Sequence, residues 1–283
     1  MRVSIDCFPC FIHQASLALK LCINDELEQK RMMKSLLPYI ASLDTSKTPA
    51  HTTSKMQRKI REISGTDPFA SVKTEYNKKA LLLYDKLTSE IQAHPDPLWL
   101  ATRLSIAGNI IDFSIFSTVD MDGALHRAIN EDLHIDDYSS YQTHINQSKH
   151  ILFLVDNAGE IVFDRLVVDV LMDLGKKVTV AVKGGVAIND ATRQDAREAG
   201  FNEKYTIIDN GSDAIGTILE TCSVEFNETF HNADMIISKG QANFETLHEN
   251  DNDTIFFLFQ TKCNVVGREI GQEKGAMLLK KIG

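Results

Sequence analysis

The sequence has no long apolar run. Nowhere do uninterrupted hydrophobic residues approach the roughly 18 that a membrane-spanning helix needs, and the opening MRVSIDCFPCF carries one arginine and no extended apolar stretch of the kind that directs secretion. A cytoplasmic protein, with no membrane partner, is expected. Basic charge is also in short supply: 30 Lys and Arg stand against 39 Asp and Glu, for a net charge of -9. Without a cationic surplus to neutralise phosphates, nucleic acid and anionic lipid surfaces drop out as partners. An acidic chain can still take an anionic substrate where a bound divalent cation and a few local cations reverse the potential inside one cleft. Prolines (6) and glycines (15) are few, which excludes a low-complexity or disordered chain. The five cysteines, Cys7, Cys10, Cys22, Cys222 and Cys263, are an odd number with no secretory signal, so reduced thiols are expected and not a disulfide framework. Nucleotide-binding loops are missing too. No G-x-G-x-x-G follows an apolar run, no G-x-x-x-x-G-K-[ST] occurs, and the stretch from Phe153 to Asn157 lacks the second Asp of a D-x-D phosphatase pattern.

What is present is a chain of 283 residues, 43% hydrophobic, enough for one sizeable core with an attached subdomain. From about residue 8 to 135 apolar residues recur at helical spacing, as in IHQASLALKLC, LEQKRMMKSLLPYIASL, YNKKALLLYDKL and PLWLATRLSIAGNIIDF. Asp25, the group Thr52, Thr53 and Ser54, and Pro95 with Pro97 mark helix starts. The second half changes period. SKHILFLVD, KKVTVAV, KYTIID, ADMIIS and DTIFFLFQ read as buried parallel strands, and IVFDRLVVDVLMDLG, ATRQDAREAG, SDAIGTILETC and NFETLHE as the helices crossing between them. The expectation is an α/β protein: a three-layer sheet of about five parallel strands over 146–283, with an all-helical subdomain over 1–145.

In such a sheet ligands sit beyond the carboxyl ends of the strands, so the residues after each run matter most. Asp156 and Asn157 offer hard oxygen donors where the first run ends, suited to a divalent ion that keeps several waters. They serve equally well as an Asx turn and helix cap. Asp190, in INDAT after the second run, could complete the metal set from the neighbouring strand, although its setting has good capping chemistry. Lys239 follows the fourth run with Gly240 behind it and Asn243 at a helix start, a placement that lets an ammonium and backbone donors hold a phosphoryl oxygen; most lysines so placed simply face solvent. Lys183 has the same placement with less support. Cys7-Phe8-Pro9-Cys10 has the spacing of a redox pair or half a zinc site, but no second C-x-x-C accompanies it. Asn109 and Asp112 fall at i and i+3 of one helical face and could point into a cleft or into water.

Taken in order, the N-terminal Cys-x-x-Cys, GTDPF, GNIIDF, DNAGEIVFD, KGGVAINDAT and SKGQANFETL resemble the metal-dependent damage-control phosphatases, in particular their prokaryotic Cys-x-x-Cys branch. The resemblance runs from about residue 6 to 265. It implies a helical part packed on a Rossmann-like sheet, a divalent ion (Mg2+, Mn2+, Co2+ or Ni2+) on Asp156, Asn157 and Asp190, and hydrolysis of small phosphorylated metabolites such as sugar phosphates or damaged cofactor-type phosphates. Lys239 would stabilise the transferred group, Glu160 is a candidate general base, and Asn243, Gly159, Asn109 and Asp112 would contact substrate. The sequence departs from the family's pattern at Gln241 and Ala242. Two other classes remain: an S-adenosylmethionine-dependent carboxyl methyltransferase, and a non-catalytic metal or redox module built on Cys7 and Cys10.

Overall fold

The computed structural model describes residues 1–108, 126 and 129–282. Residues 1–108 form five helices: α1 (Cys7–Cys22), α2 (Glu26–Ser42), α3 (Pro49–Ser64), α4 (Ala70–Ala93) and α5 (Pro97–Gly108). Asp25 caps α2 by accepting from Leu27 N and Glu28 N, and Pro97 opens α5, as expected. The start of α3 lies earlier than expected. Thr48 is its cap and Pro49 fills the first turn, where a missing N–H costs nothing, so Thr52, Thr53 and Ser54 are buried inside the helix.

The sheet has seven strands: β1 (Ile135–Asp136), β2 (His150–Leu154), β3 (Lys177–Val182), β4 (Thr206–Asp209), β5 (Met235–Lys239), β6 (Ile255–Gln260) and β7 (Met277–Lys281), in the order β1-β7-β6-β5-β2-β3-β4. The five expected strands, β2 to β6, are all present and mutually parallel. β7 goes beyond that expectation; it runs antiparallel to β6 and carries the two-residue β1 on its far side. Between the strands lie α6 (Tyr138–Gln147), α7 (Glu160–Asp173), α8 (Arg193–Glu198), α9 (Val224–Asn232), α10 (Gln241–Leu247) and α11 (Asn264–Ile270). The segment SDAIGTILETC is not a helix. Gly216 takes φ +70, outside the helical region, and only a single 3-10 turn forms at Leu219–Thr221 before Ser223 caps α9. No helix among the described residues is long and apolar enough to cross a membrane.

Both faces of the sheet are covered. Ile151 and Phe153 of β2 face a core shared with Leu104, Ile106 and Ala107 of α5 and with α7, so the two halves of the chain, 1–145 and 146–283, build one apolar interior. Leu152 and Leu154 face the other side, with Phe226 and Phe230 of α9 and Phe244 of α10. A third cluster, from α1, α2 and α3, packs on Ala187, Ile188 and Ile215, which lie in loops beyond β3 and β4. β2 pairs with both β3 and β5, so the chain builds outward on one side, then crosses to the other. This is the topological switch point, where a crevice opens at the carboxyl ends.

Candidate active site

Beyond the sheet, the exits of β2 and β3 are joined backbone to backbone. Ala191 N donates to Asp156 O (2.8 Å), Ala158 N to Asn189 O (2.9 Å) and Lys183 N to Ala191 O (2.9 Å). Asn157 and Asp190 become an antiparallel bridge pair, and facing residues of such a pair hold their side chains close together. The turn delivering Asp190 closes with Asp190 N on Ala187 O (2.9 Å), and inside it Ile188 adopts φ 48. A β-branched residue in the left-handed region is strained by about 1–3 kcal/mol, strain that tends to concentrate at functional sites.

Asp156, Asn157 and Asp190 are 5%, 3% and 3% exposed. All three open onto a cleft of about 160 Å3, whose wall also includes Cys7, Cys10 and Phe11 of α1, Pro49 and Thr53 of α3, and Gln241 and Glu245 of α10, as well as Lys262 and Cys263. The cleft is acidic: Asp6, Asp156, Asp190 and Glu245 line it together with Lys262. Three hard oxygen donors amid this excess of carboxylate fit a divalent cation of the Mg2+ or Mn2+ type. Lys183, buried beside the site, lies 3.3 Å from Asp190 Oδ2 and donates to Gly216 O.

The amide of Asn157 is fixed by its surroundings. Its Nδ2 donates to Asp156 Oδ2 (2.8 Å) and to Glu160 Oε2 (2.9 Å). The opposite orientation would set an oxygen against two carboxylate oxygens, so the nitrogen must be where it is. Glu160 is fully buried; its other oxygen accepts from Lys239 Nζ at 2.6 Å. Lys239 also donates to Asp164 Oδ1 (2.5 Å) and to Ser105 O (2.9 Å), while Ser105 Oγ donates to Asp164 Oδ1 (2.7 Å). Burial pushes the Asp164 carboxyl upward. Burial also acts to lower Lys239, but the two carboxylates outweigh it and hold the ammonium charged.

Several expected roles therefore sit differently. Lys239 and Glu160 lie beneath the cleft and not on its wall, because an ammonium and two carboxylates with no access to water satisfy one another. Asn243 is buried with Nδ2 on Lys239 O (2.8 Å) and Oδ1 accepting from Thr217 Oγ1 (2.8 Å), bracing the turn after β5. Gly159, at φ 79, gives its N–H to Asn77 Oδ1 of α4 (2.7 Å), so it serves the turn. Asn109 and Asp112 lie outside the described residues. Conversely, Lys262, at the exit of the last parallel strand, and Glu245, which carries no signal in the sequence pattern, line the cleft. Glu245 is pushed up to about 7, chiefly by burial, against the opposing hydrogen bonds from Gln241 Nε2 (2.9 Å) and Ala50 N (3.1 Å). Gln241 Oε1 in turn accepts from Lys262 N (2.8 Å), which ties α10 to the exit of β6. Cys7, Cys10 and Cys263 are reduced thiols, joined in no disulfide; burial raises Cys7.

The damage-control phosphatase ARMT1-like domain matches residues 3–278. The chain belongs to that family. It is 31% identical over 282 residues to the damage-control phosphatase PH1575 of Pyrococcus horikoshii, covering 98% of this chain and 97% of the relative. It is equally 31% identical over 289 residues to a damage-control phosphatase of Archaeoglobus fulgidus, covering all of both. The crystal structure of a DUF89 family protein from P. horikoshii superimposes with a TM-score of 0.88 at 32% identity, over the whole of each chain. Family membership thus spans the helices that wall the cleft as well as the sheet that carries the oxygen donors.

Proposed function

We propose that the protein is a metal-dependent phosphatase acting on small phosphorylated metabolites, with Asp156, Asn157 and Asp190 holding the ion. The observation that carries this reading is the meeting of three oxygen donors from two strand exits in a cleft already crowded with negative charge. Without a cation, such a cleft repels a phosphoryl group; with one, it receives it. Family membership supports the phosphatase activity. Mg2+ and Mn2+ suit the donor set, and Co2+ and Ni2+ are the other candidates. When bound, such an ion offsets phosphoryl charge and lowers the pKa of an attacking water.

The chain's own residues supply position and charge. Lys262, at the exit of β6, takes the phosphoryl-binding role that the sequence pattern assigned to Lys239. Phe11, Ile188, Ile215 and Val265 line the same cleft and would pack against the organic portion of the substrate. The cleft volume of about 160 Å3 favours a compact substrate, such as a sugar phosphate or a fragment of a cofactor, over a polymer.

The reading is tested by a metal-by-substrate hydrolysis screen on the wild type and on Asp156→Ala. Hydrolysis that requires a divalent metal and disappears in the variant, with the fold retained, is expected. Metal-stimulated hydrolysis undiminished in Asp156→Ala would sink the assignment.

A further inference from the structure

The buried ion cluster lies beneath the cleft and touches the candidate metal site at the amide of Asn157. An amide has two faces with opposite chemistry, and only its oxygen can ligate a hard cation. Both nitrogen hydrogens of Asn157 are taken by carboxylates, Asp156 on one side and Glu160 on the other. Glu160 is itself clamped by Lys239, and Lys239 by Asp164 and Ser105.

We propose that Glu160 is a positioning residue which fixes the Asn157 amide with its oxygen as the group offered to the ion, and that Lys239 with Asp164 holds Glu160 in place. The inference rests on the metal-site reading above. It follows from satisfiability. Lys239 and Asn157 each bring an N–H donor to Glu160, and a carboxylate accepts both. A glutamine at 160 offers one acceptor and one NH2, so either Lys239 loses its acceptor or Asn157 turns its oxygen inward, away from the ion. Outer residues that orient metal ligands typically contribute about 10- to 100-fold to metal affinity.

The relation can be inverted. In the double variant Asn157→Asp with Glu160→Gln, the new glutamine side chain accepts from Lys239 through its oxygen and donates through its NH2 to the new carboxylate, while the total charge of the cluster is unchanged. Asn157→Asp alone instead sets a third carboxylate against Asp156 and Glu160 with no donor between them.

The test is Mn2+ affinity of the metal-stripped full chain, read by titration calorimetry, with thermal unfolding recorded for each variant. Glu160→Gln is expected to bind Mn2+ about 10- to 100-fold more weakly than wild type. The double variant is expected to recover most of that loss and to bind more tightly than Asn157→Asp alone. If charge and not orientation governs the site, Asn157→Asp alone binds more tightly than the double variant, and the proposal is overturned. Wild-type affinity in Glu160→Gln overturns it as well. Should Glu160→Gln fail to fold, the comparison of Asn157→Asp with the double variant still decides. Asp156→Ala separates the two levels: retained Mn2+ binding there removes the metal site itself, whereas lost binding there with unaltered binding in Glu160→Gln removes only the role of Glu160.

Discussion

Gly240 and Asp156 lie so close that a Cβ on Gly240 would overlap the Asp156 carboxylate. Gly240 also takes φ +83, where side chains are rarely tolerated. Two demands, backbone shape and clearance, coincide at the residue following β5. Gly240→Ala is therefore expected to displace Asp156, with loss of metal-stimulated phosphatase activity and destabilisation of about 1–3 kcal/mol. Activity assays alongside urea unfolding check both effects; an active, equally stable variant would contradict the arrangement.

Lys262 and Lys239 should separate cleanly. Lys262→Met removes a cation from the cleft wall, so catalytic efficiency toward a phosphate ester should fall roughly 10- to 1,000-fold with little change in melting temperature. Lys239→Met strands Glu160 and Asp164 without their partner, and breaking a buried pair from one side costs about 3–5 kcal/mol. Melting temperatures and steady-state kinetics on the two variants distinguish these outcomes.

Glu245 predicts a pH dependence of stability. Burial raises its carboxyl to about 7 from an ordinary 4.5, so between those values the folded chain holds a proton that the unfolded chain has released. Stability from this group is complete below about 4.5 and is lost as pH rises toward 7. Glu245→Gln should flatten that part of the profile. Denaturant unfolding at closely spaced pH values measures the difference in slope.

Cys10 is exposed and lines the cleft, whereas Cys7 is buried and its thiol is raised by burial. An uncharged alkylating reagent at neutral pH should label Cys10 well before Cys7, because reaction needs both access and thiolate. A bulky adduct should obstruct the cleft and lower activity, and Cys10→Ser should be resistant. Mass spectrometry of the labelled peptide, paired with residual activity, provides the check.

How much of this could be read from residues alone depends on how local the cause is. The five parallel strands and the candidate donors Asp156, Asn157 and Asp190 stand at strand exits, and strand exits are visible as apolar runs followed by polar residues. The cluster around Lys239 joins residues far apart in the sequence. Lys239 is taken out of the cleft by Asp164 and Ser105 of two helices that come from distant parts of the sequence, and nothing at position 239 announces them. Lys262 sits at a visible strand exit, but only the fold shows that its wall faces Asp156. The helix expected across SDAIGTILETC does not form: Gly216 leaves the helical region at φ +70 and Ile218 is extended, so only the 3-10 turn at Leu219–Thr221 remains. β7 escapes the pattern because AMLLKK is short and its partner runs antiparallel, outside the repeating strand-crossover arrangement.

The third apolar cluster, made by α1, α2 and α3 with Ile188 and Ile215, has a consequence for how the site can diversify. Oxygen donors come from the sheet exits, while Cys7, Phe11, Pro49 and Thr53 come from helices held by that cluster. The candidate donors and most of the cleft wall thus come from different parts of the chain, and the two meet at Ile188, in the turn that delivers Asp190. Exchanges on α1 and α3 at positions that line the cleft without packing on Ile188 would reshape which molecules enter and leave the turn that delivers Asp190 in place.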